Sequence, residues 1–87
     1  MTRWSVQLTD SAVRELRALE RQNQLRIAAA IELLRENPFP PRAVKLTGRD
    51  AYRVRVGDYR IIYSADGTVM TILVIRVGHR RDVYRLS

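Results

Sequence analysis

Basic side chains in the C-terminal half of the sequence are spaced so that they could hold a phosphate group. Arg53, Arg55 and Arg60 lie in the segment YRVRVGDYR, residues 52–60. The segment VGHRRDVYRLS, residues 77–87, adds four further candidates: His79, Arg80, Arg81 and Tyr84. Guanidinium groups match phosphate oxygens and stay charged at physiological pH, and a tyrosine can stack on a base or transfer a proton. These residue types therefore indicate an anion site that an RNA phosphodiester could use.

Strand periodicity predicts that the three arginines of the first segment share one face of a sheet. A hairpin that closes on Gly57 and Asp58 places Arg55 directly opposite Arg60. Side chains alternate along a strand, so Arg53 lies on the same face as this pair. The opposite face takes the apolar side chains of the two strands: Val54, Val56, Tyr59, Ile61 and Tyr63. We expect helices to cover the apolar face and water to cover the arginine face.

The C-terminal segment could complete the anion site that the hairpin begins. Gly78 is predicted to break the last long strand, and an extended chain beyond it places Arg80 and Tyr84 on the same side. Two like charges opposed on an exposed sheet face cost less than about 1 kcal/mol. A solvated basic face without a ligand is therefore the alternative to an anion site.

The elements that must position these residues follow from the hydropathy pattern. The sequence predicts a strand at 3–8, helices at 11–22 and 24–37 separated by a break at Gln22-Asn23, and strands at 51–56, 59–65, 68–77 and 82–86. The segment TDS, residues 9–11, supplies helix N-cap candidates, and KLTG, residues 45–48, leads into the sheet. In the second helix the predicted buried stripe consists of Leu25, Ala28, Ile31 and Leu34. The expected fold class is α+β, in which an N-terminal strand and a helical hairpin precede a twisted antiparallel sheet packed on the two helices.

Length and composition limit the class of protein. A chain of 87 residues favours one domain, residues 1–87. The sequence has no cysteine and one histidine, so a disulfide framework and a zinc site of about four ligands are not expected. It has no apolar run near the roughly 18 residues of a membrane span and no signal-peptide pattern. We therefore expect a soluble cytoplasmic protein.

Net charge is the outlying property of the composition. Lys and Arg number 16 against 9 Asp and Glu, which gives a formal charge of +7, and Lys45 is the only lysine among the cations. An excess of this size is the electrostatic signature of a domain that meets phosphates or an acidic protein.

Residues 52–85 resemble the RelE/ParE superfamily of toxins from toxin–antitoxin pairs, and most closely its RelE branch. The resemblance is carried by YRVRVGDYRIIY, by the long apolar strand that follows, and by VGHRRDVY. It implies a RelE-like fold and a small endoribonuclease, an mRNA interferase, that enters the ribosomal A site and cuts mRNA. The implied reaction is attack of the RNA 2′-hydroxyl on the adjacent phosphate without a metal ion or other cofactor. The implied partners are the ribosome, mRNA and a cognate antitoxin.

The resemblance also assigns expected roles to individual residues. Catalytic roles fall on Arg55, Arg60, Arg80 and Tyr84, and RNA-binding roles on Arg53, His79 and Arg81. Well-known RelE toxins have lysine at the positions that match Arg53 and Arg55. Arginine effectively cannot lose its proton, so a general-base role for Arg55 is disfavoured. Tyr84, His79 and a ribosomal group stay open as the base.

Two other functions compete with the endoribonuclease. A ParE-like inhibitor of DNA gyrase shares the fold, although that branch generally lacks the combination of a tail arginine and a tail tyrosine. A basic binding module would hold RNA with an affinity that falls as salt rises, and would cut no strand. For the antitoxin, the sequence leaves open whether it covers apolar surface near the helical hairpin or displaces the tail from the basic face.

Overall fold

The structure, a computed structural model, describes residues 3–79 of the chain. Its elements in chain order are β1 (Ser5–Leu8), α1 (Asp10–Ala18), α2 (Arg21–Glu36), β2 (Val44–Lys45), β3 (Tyr52–Val56), β4 (Tyr59–Asp66) and β5 (Thr71–His79). The five strands form one sheet in the order β1-β5-β4-β3-β2. The predicted strand at 82–86 lies outside the described residues. The α+β fold class predicted from the sequence is confirmed.

The sheet is mixed rather than wholly antiparallel. Strands β2 to β5 pair antiparallel with their neighbours, as predicted. Strand β1 joins the far edge beside β5 and runs parallel to it, with Val6 opposite Ile72 and Leu8 opposite Val74. The alternation of residues 3–8 specifies a half-buried strand but carries no information about the direction of its partner.

The core lies between the two helices and one face of the sheet. Its buried members are Ala12, Ile27, Ala30, Ile31, Leu34, Val54, Ile61, Tyr63, Ile72, Val74 and Val77. Among them, Tyr63 donates a hydrogen bond from its hydroxyl to the carbonyl oxygen of Pro38 at 2.7 Å. Burial, together with the neighbouring Tyr52, raises the pKa of Tyr63 to about 12. This bond ties the proline-rich loop after α2 to the centre of the sheet.

The helical hairpin turns earlier than predicted. Thr9 is the N-cap of α1, and its hydroxyl oxygen accepts from the Ala12 amide at 3.1 Å. At the other end of α1, the Gln24 side chain donates to the carbonyls of Leu16 and Arg17 at 3.1 and 3.2 Å. Helix α1 ends at Ala18 and α2 begins at Arg21, so Gln22 and Asn23 lie inside α2 and the predicted break there is wrong.

The buried stripe of α2 also differs from the prediction. Ile31 and Leu34 are buried as expected, but Leu25 is 59% exposed and Ala28 is exposed. The buried positions are Ile27, Ala30, Ile31 and Leu34, which follow the i, i+3, i+4, i+7 spacing of one helical face. The run IAAAI fits several stripes equally well, so packing against the sheet decides between them. Within residues 3–79, neither helix is long and apolar enough to cross a membrane.

Candidate anion-binding site

The β3–β4 hairpin has the predicted register. Val56 pairs with Tyr59, Arg55 with Arg60, and Val54 with Ile61. The turn between them contains Gly57, whose φ of +60° lies in the left-handed region that glycine adopts without steric cost. The register prediction, which rested on a tight turn at Gly57 and Asp58, is therefore confirmed.

The arginines share the sheet face opposite the core, but they differ in exposure. Arg55 is exposed, Arg53 is half-buried and Arg60 is only 1% exposed. The expectation that water covers the whole arginine face is therefore wrong at Arg60. A second apolar cluster lies on this face, with Ala51 and Ile62 buried and Leu46 and Ile75 packed against them. The face thus combines a small apolar patch with one buried and two more accessible guanidinium groups.

A β-bulge in β5 determines what lies beside Arg60. Tyr63 pairs with Val74 while its neighbour Ile62 pairs with Arg76, so Ile75 is an extra residue in β5. After this bulge, Gly78 lies directly opposite Arg60. Strand β5 continues through Gly78 to His79, and the prediction that Gly78 breaks the strand is wrong. Arg60 is therefore flanked by Arg55 on β3 and by a residue without a side chain on β5.

A small pocket opens beside this pair of arginines. It has a volume of about 40 Å³ and is lined by Arg55, Gly57, Asp58, Tyr59 and Arg60. A water molecule needs about 10–15 Å³ of such volume, so the pocket has room for roughly three waters or for part of an anion. Two guanidinium groups in the lining favour an anionic occupant.

His79 lies on the other face of the sheet from the arginine pair. It pairs with Tyr59, and their rings meet edge to face with centroids 5.9 Å apart. The Tyr59 hydroxyl oxygen accepts from the Asn23 side chain at 3.2 Å, which places this contact beside the start of α2. The structure therefore does not bring His79 to the face of Arg55 and Arg60. Any contact of His79 with RNA would be made from the end of β5.

Arg26 is a further cation near the turn that the sequence did not indicate. A Cβ added at Gly57 would lie 2.7 Å from Nη2 of Arg26. The guanidinium group of Arg26, on α2, therefore lies against the hairpin turn. The pattern of α2 marks Arg26 only as an exposed helical residue. No sequence signal connects it with a turn more than thirty positions away, because that contact depends on how α2 crosses the sheet.

The remaining predicted site residues, Arg80, Arg81 and Tyr84, lie outside the described residues, and their roles stay predictions. Within the described part of the chain, no group of three or more His, Asp or Glu side chains is arranged to hold a metal ion.

The chain is similar to toxins of toxin–antitoxin systems. The family model described as the ParE toxin of the type II toxin–antitoxin system parDE matches residues 6–84. The chain belongs to the RelE/ParE superfamily. Toxin RelG of Mycobacterium tuberculosis is 34% identical to it over 91 residues, which cover 94% of this chain and 97% of RelG. A RelE-like toxin protein of Escherichia coli is 31% identical over 90 residues, covering 98% of this chain and 94% of that protein.

A solved RelE structure confirms the RelE/ParE fold. The toxin–antitoxin complex RelBE2 of Mycobacterium tuberculosis contains a chain that matches with a TM-score of 0.80 and 26% identity, over 90% of this chain and 99% of that one. Superfamily membership, predicted from the motifs in residues 52–85, is thereby confirmed. The family model carries the name ParE, whereas the two relatives are named RelG and RelE-like, so the choice between the two activities depends on the chemistry of the site.

Proposed function

We propose that this type II toxin is a ribosome-dependent endoribonuclease that cuts mRNA in the A site. The observation that carries the proposal is the placement of Arg55 directly opposite Arg60 beside a pocket. Two like charges directly opposed on a sheet destabilise it, and a bound anion would reduce their repulsion. A phosphodiester supplies that anion, and a guanidinium can bind two of its oxygens at once.

The reaction we propose is attack of the 2′-hydroxyl oxygen on the adjacent phosphorus. The O2′–P bond forms, the P–O5′ bond breaks, the 2′-hydroxyl loses a proton and the departing 5′-oxygen gains one. The products are a 2′,3′-cyclic phosphate and a 5′-hydroxyl end. Negative charge accumulates on the phosphoryl oxygens in the transition state, and Arg55 and Arg60 stabilise it electrostatically. Arg60 is almost fully buried, and a charge in such surroundings interacts more strongly than the same charge in solvent.

The other candidate residues have supporting roles in this proposal. Arg53 binds a neighbouring phosphate along the same face, and Arg80 and Arg81 add cations from the C-terminal segment. Tyr84 stacks on a base or transfers a proton, and His79 contacts RNA from the end of β5. The proton of the 2′-hydroxyl passes to Tyr84, to His79 or to a ribosomal group, because an arginine effectively cannot act as a base.

The proposed partners are the ribosome, mRNA and a cognate antitoxin, all in the cytoplasm. The support for an antitoxin is the toxin–antitoxin complex that this chain resembles in fold. Two surfaces could receive it. One is the basic face, which would attract an acidic segment. The other is an open groove of about 430 Å³ beside the second half of α2, lined by Ala30, Leu33, Leu34, Glu36, Asn37, Pro40 and Arg42.

A ParE-like inhibitor of DNA gyrase is the second candidate function, and the family model's description favours it. A gyrase inhibitor would block DNA supercoiling and leave mRNA intact. A third candidate, a basic RNA-binding module, would bind RNA in a salt-dependent manner and cut none.

Purified protein should be added to ribosomes programmed with a defined mRNA, and strand breaks should be mapped by primer extension. Arg55→Ala and Arg80→Ala test the site, and Arg14→Ala is the matched control, because Arg14 is an exposed arginine on α1. We expect a cut at the A-site codon that both site variants reduce by about 10²–10³ and the control leaves intact. Intact mRNA with folded protein, together with inhibited supercoiling by gyrase, would favour the ParE-like function instead.

A further inference from the structure

We infer that Glu15 is a positioning residue of the arginine site, because it holds the β-bulge that places Gly78 opposite Arg60. The inferred effect of Glu15 on the register of β4 and β5 rests on the structure alone. Its inferred effect on RNA cleavage rests on the proposed function. Glu15 lies on α1 and bonds to Arg76 and Val77 of β5, so we infer that it acts on Arg60 through β5.

Hydrogen bonds from α1 and its N-cap reach three consecutive residues of the bulge. The Glu15 carboxylate accepts from Arg76 Nε at 3.0 Å and from Arg76 Nη2 at 2.6 Å. The same carboxylate accepts from the backbone amide of Val77 at 3.0 Å. The Thr9 hydroxyl donates to the carbonyl oxygen of Ile75 at 2.7 Å. Every residue of the bulge, from Ile75 to Val77, therefore has a hydrogen bond to Thr9 or to Glu15.

The register shows what the bulge achieves. Before the bulge the paired residues are Tyr63 with Val74 and Ser64 with Leu73, and after it they are Ile61 with Val77 and Arg60 with Gly78. Continuing the first register without an extra residue would place Val77 opposite Arg60. The same shift would turn Arg76 towards the core, opposite Ile61. The bulge thus sends Val77 into the core, keeps Arg76 out of the core on the face of Ile62, and leaves a glycine beside the buried guanidinium.

The bonds from Glu15 and Thr9 to Ile75, Arg76 and Val77 are called the Glu15 clamp below. Charge and burial make Glu15 its main residue. The side chains of Glu15 and Arg76 are each 26% exposed, so solvent screens their interaction less than that of a surface pair. A charge-assisted bond to a backbone amide also fixes the position of Val77, one residue before Gly78. Loss of the carboxylate should loosen the bulge without removing either strand, since the core contacts of Val74 and Val77 remain.

The test compares wild type with Glu15→Ala and Glu15→Gln, using Glu32→Ala as the control. Glu32 also pairs with arginines, Arg3 and Arg35, each at 3.1 Å, but it lies on α2 and its side chain is about half exposed. If Glu15→Ala fails to fold, Glu15→Gln decides, because an amide oxygen can still accept one of the bonds. Readouts are hydrogen exchange of the Val77 and Gly78 amides, the NMR signals of Gly78 and of Arg60 Nε–Hε, and the cleavage rate per folded molecule at saturating ribosomes.

We expect Val77 exchange to quicken about tenfold or more and both NMR signals to shift. We expect the cleavage rate to fall about 10–100-fold, with Glu15→Gln milder than Glu15→Ala and Glu32→Ala unchanged. Unchanged Gly78 and Arg60 signals would overturn the inference, and so would shifted signals with an unchanged cleavage rate. If wild type cuts no RNA, the proposed function fails by itself, and affinity for a short single-stranded RNA replaces the rate as the readout.

Discussion

Gly78 lies directly opposite Arg60 in the sheet, and Arg60 is buried on the face away from the core. Directly opposed residues in an antiparallel pair have Cβ atoms only about 4.5–5.5 Å apart. A side chain at position 78 would therefore lie directly beside that of Arg60. This relationship links the end of β5 to the arginine pair on the β3–β4 hairpin.

Replacing Gly78 with alanine should reduce function more than stability. Alanine in an extended strand usually stabilises a protein by limiting its unfolded chain, but here its methyl group faces Arg60. We expect mRNA cleavage to fall at least about tenfold, within the range that misplacing a reacting group by about 1 Å can cause. Gly67→Ala is the control, because its new Cβ would meet only Trp4 at 3.9 Å, an ordinary contact. Equal cleavage by the two variants would show that Arg60 functions equally well with a methyl group at position 78.

Replacing Arg55 with alanine should separate function from folding. Arg55 is exposed, so the free energy of unfolding should change by no more than about 0.5 kcal/mol in a urea titration. Single-turnover cleavage should fall by about 10²–10³, because a charge aimed at the transition state is lost. A large loss of stability with cleavage per folded molecule unchanged would assign Arg55 a structural role instead.

The Glu15 clamp should make stability depend on acid pH. Burial by itself raises the pKa of Glu15, but hydrogen bonds from Arg76 and Val77 and the charges of Arg76 and Arg14 outweigh it and hold the pKa below its usual value of 4.5. A carboxyl group with a lowered folded-state pKa stabilises the fold above pH 4.5, and that stabilisation disappears as pH falls through the lowered value.

Wild type should therefore exceed Glu15→Gln in free energy of unfolding by about 1–2 kcal/mol near pH 7. The difference should shrink towards zero as the pH falls below 4.5 through the lowered pKa of Glu15. Urea titrations of both proteins over this pH range measure the difference. A difference in free energy of unfolding that stays constant to the lowest pH would contradict this prediction. It would show that the negative charge of Glu15 does not stabilise the fold.

Two glycines with similar backbone conformations should respond differently to alanine. Gly57 and Gly48 have φ values of +60° and +73°, so alanine is strained at both, by about 1 kcal/mol. A Cβ at Gly48 meets nothing within 4 Å, whereas one at Gly57 meets Arg26. Thermal unfolding should therefore show a larger loss for Gly57→Ala than for Gly48→Ala. Equal losses would mean that Arg26 moves away at no cost.

The hairpin could be predicted from the sequence because local chemistry specifies it. Gly57 and Asp58 fix a tight turn, the turn fixes the register, and alternation then places Arg53, Arg55 and Arg60 on one face. The N-cap at Thr9 and the half-buried β1 were predictable for the same reason, since both depend on a few adjacent residues.

The features that the sequence did not reveal depend on contacts between distant segments. The run ILVIRV, residues 72–77, is nearly all apolar, so no pattern marks Ile75 as a bulge; its position depends on bonds to Thr9 and Glu15 on another element. Strand alternation predicted the face of Arg60 but not its exposure, because burial depends on how distant segments pack around a side chain.

The central claim is that the arginine pair holds an RNA phosphate while the neighbouring 2′-hydroxyl attacks it. The most direct test is an mRNA with a single 2′-deoxynucleotide at the 5′ side of the A-site scissile phosphate, placed on ribosomes and compared with the all-ribose message. We predict that the wild-type toxin cuts the all-ribose message in the A site and leaves that phosphate intact in the substituted one. Cleavage at the same phosphate without the 2′-hydroxyl would contradict the proposed reaction.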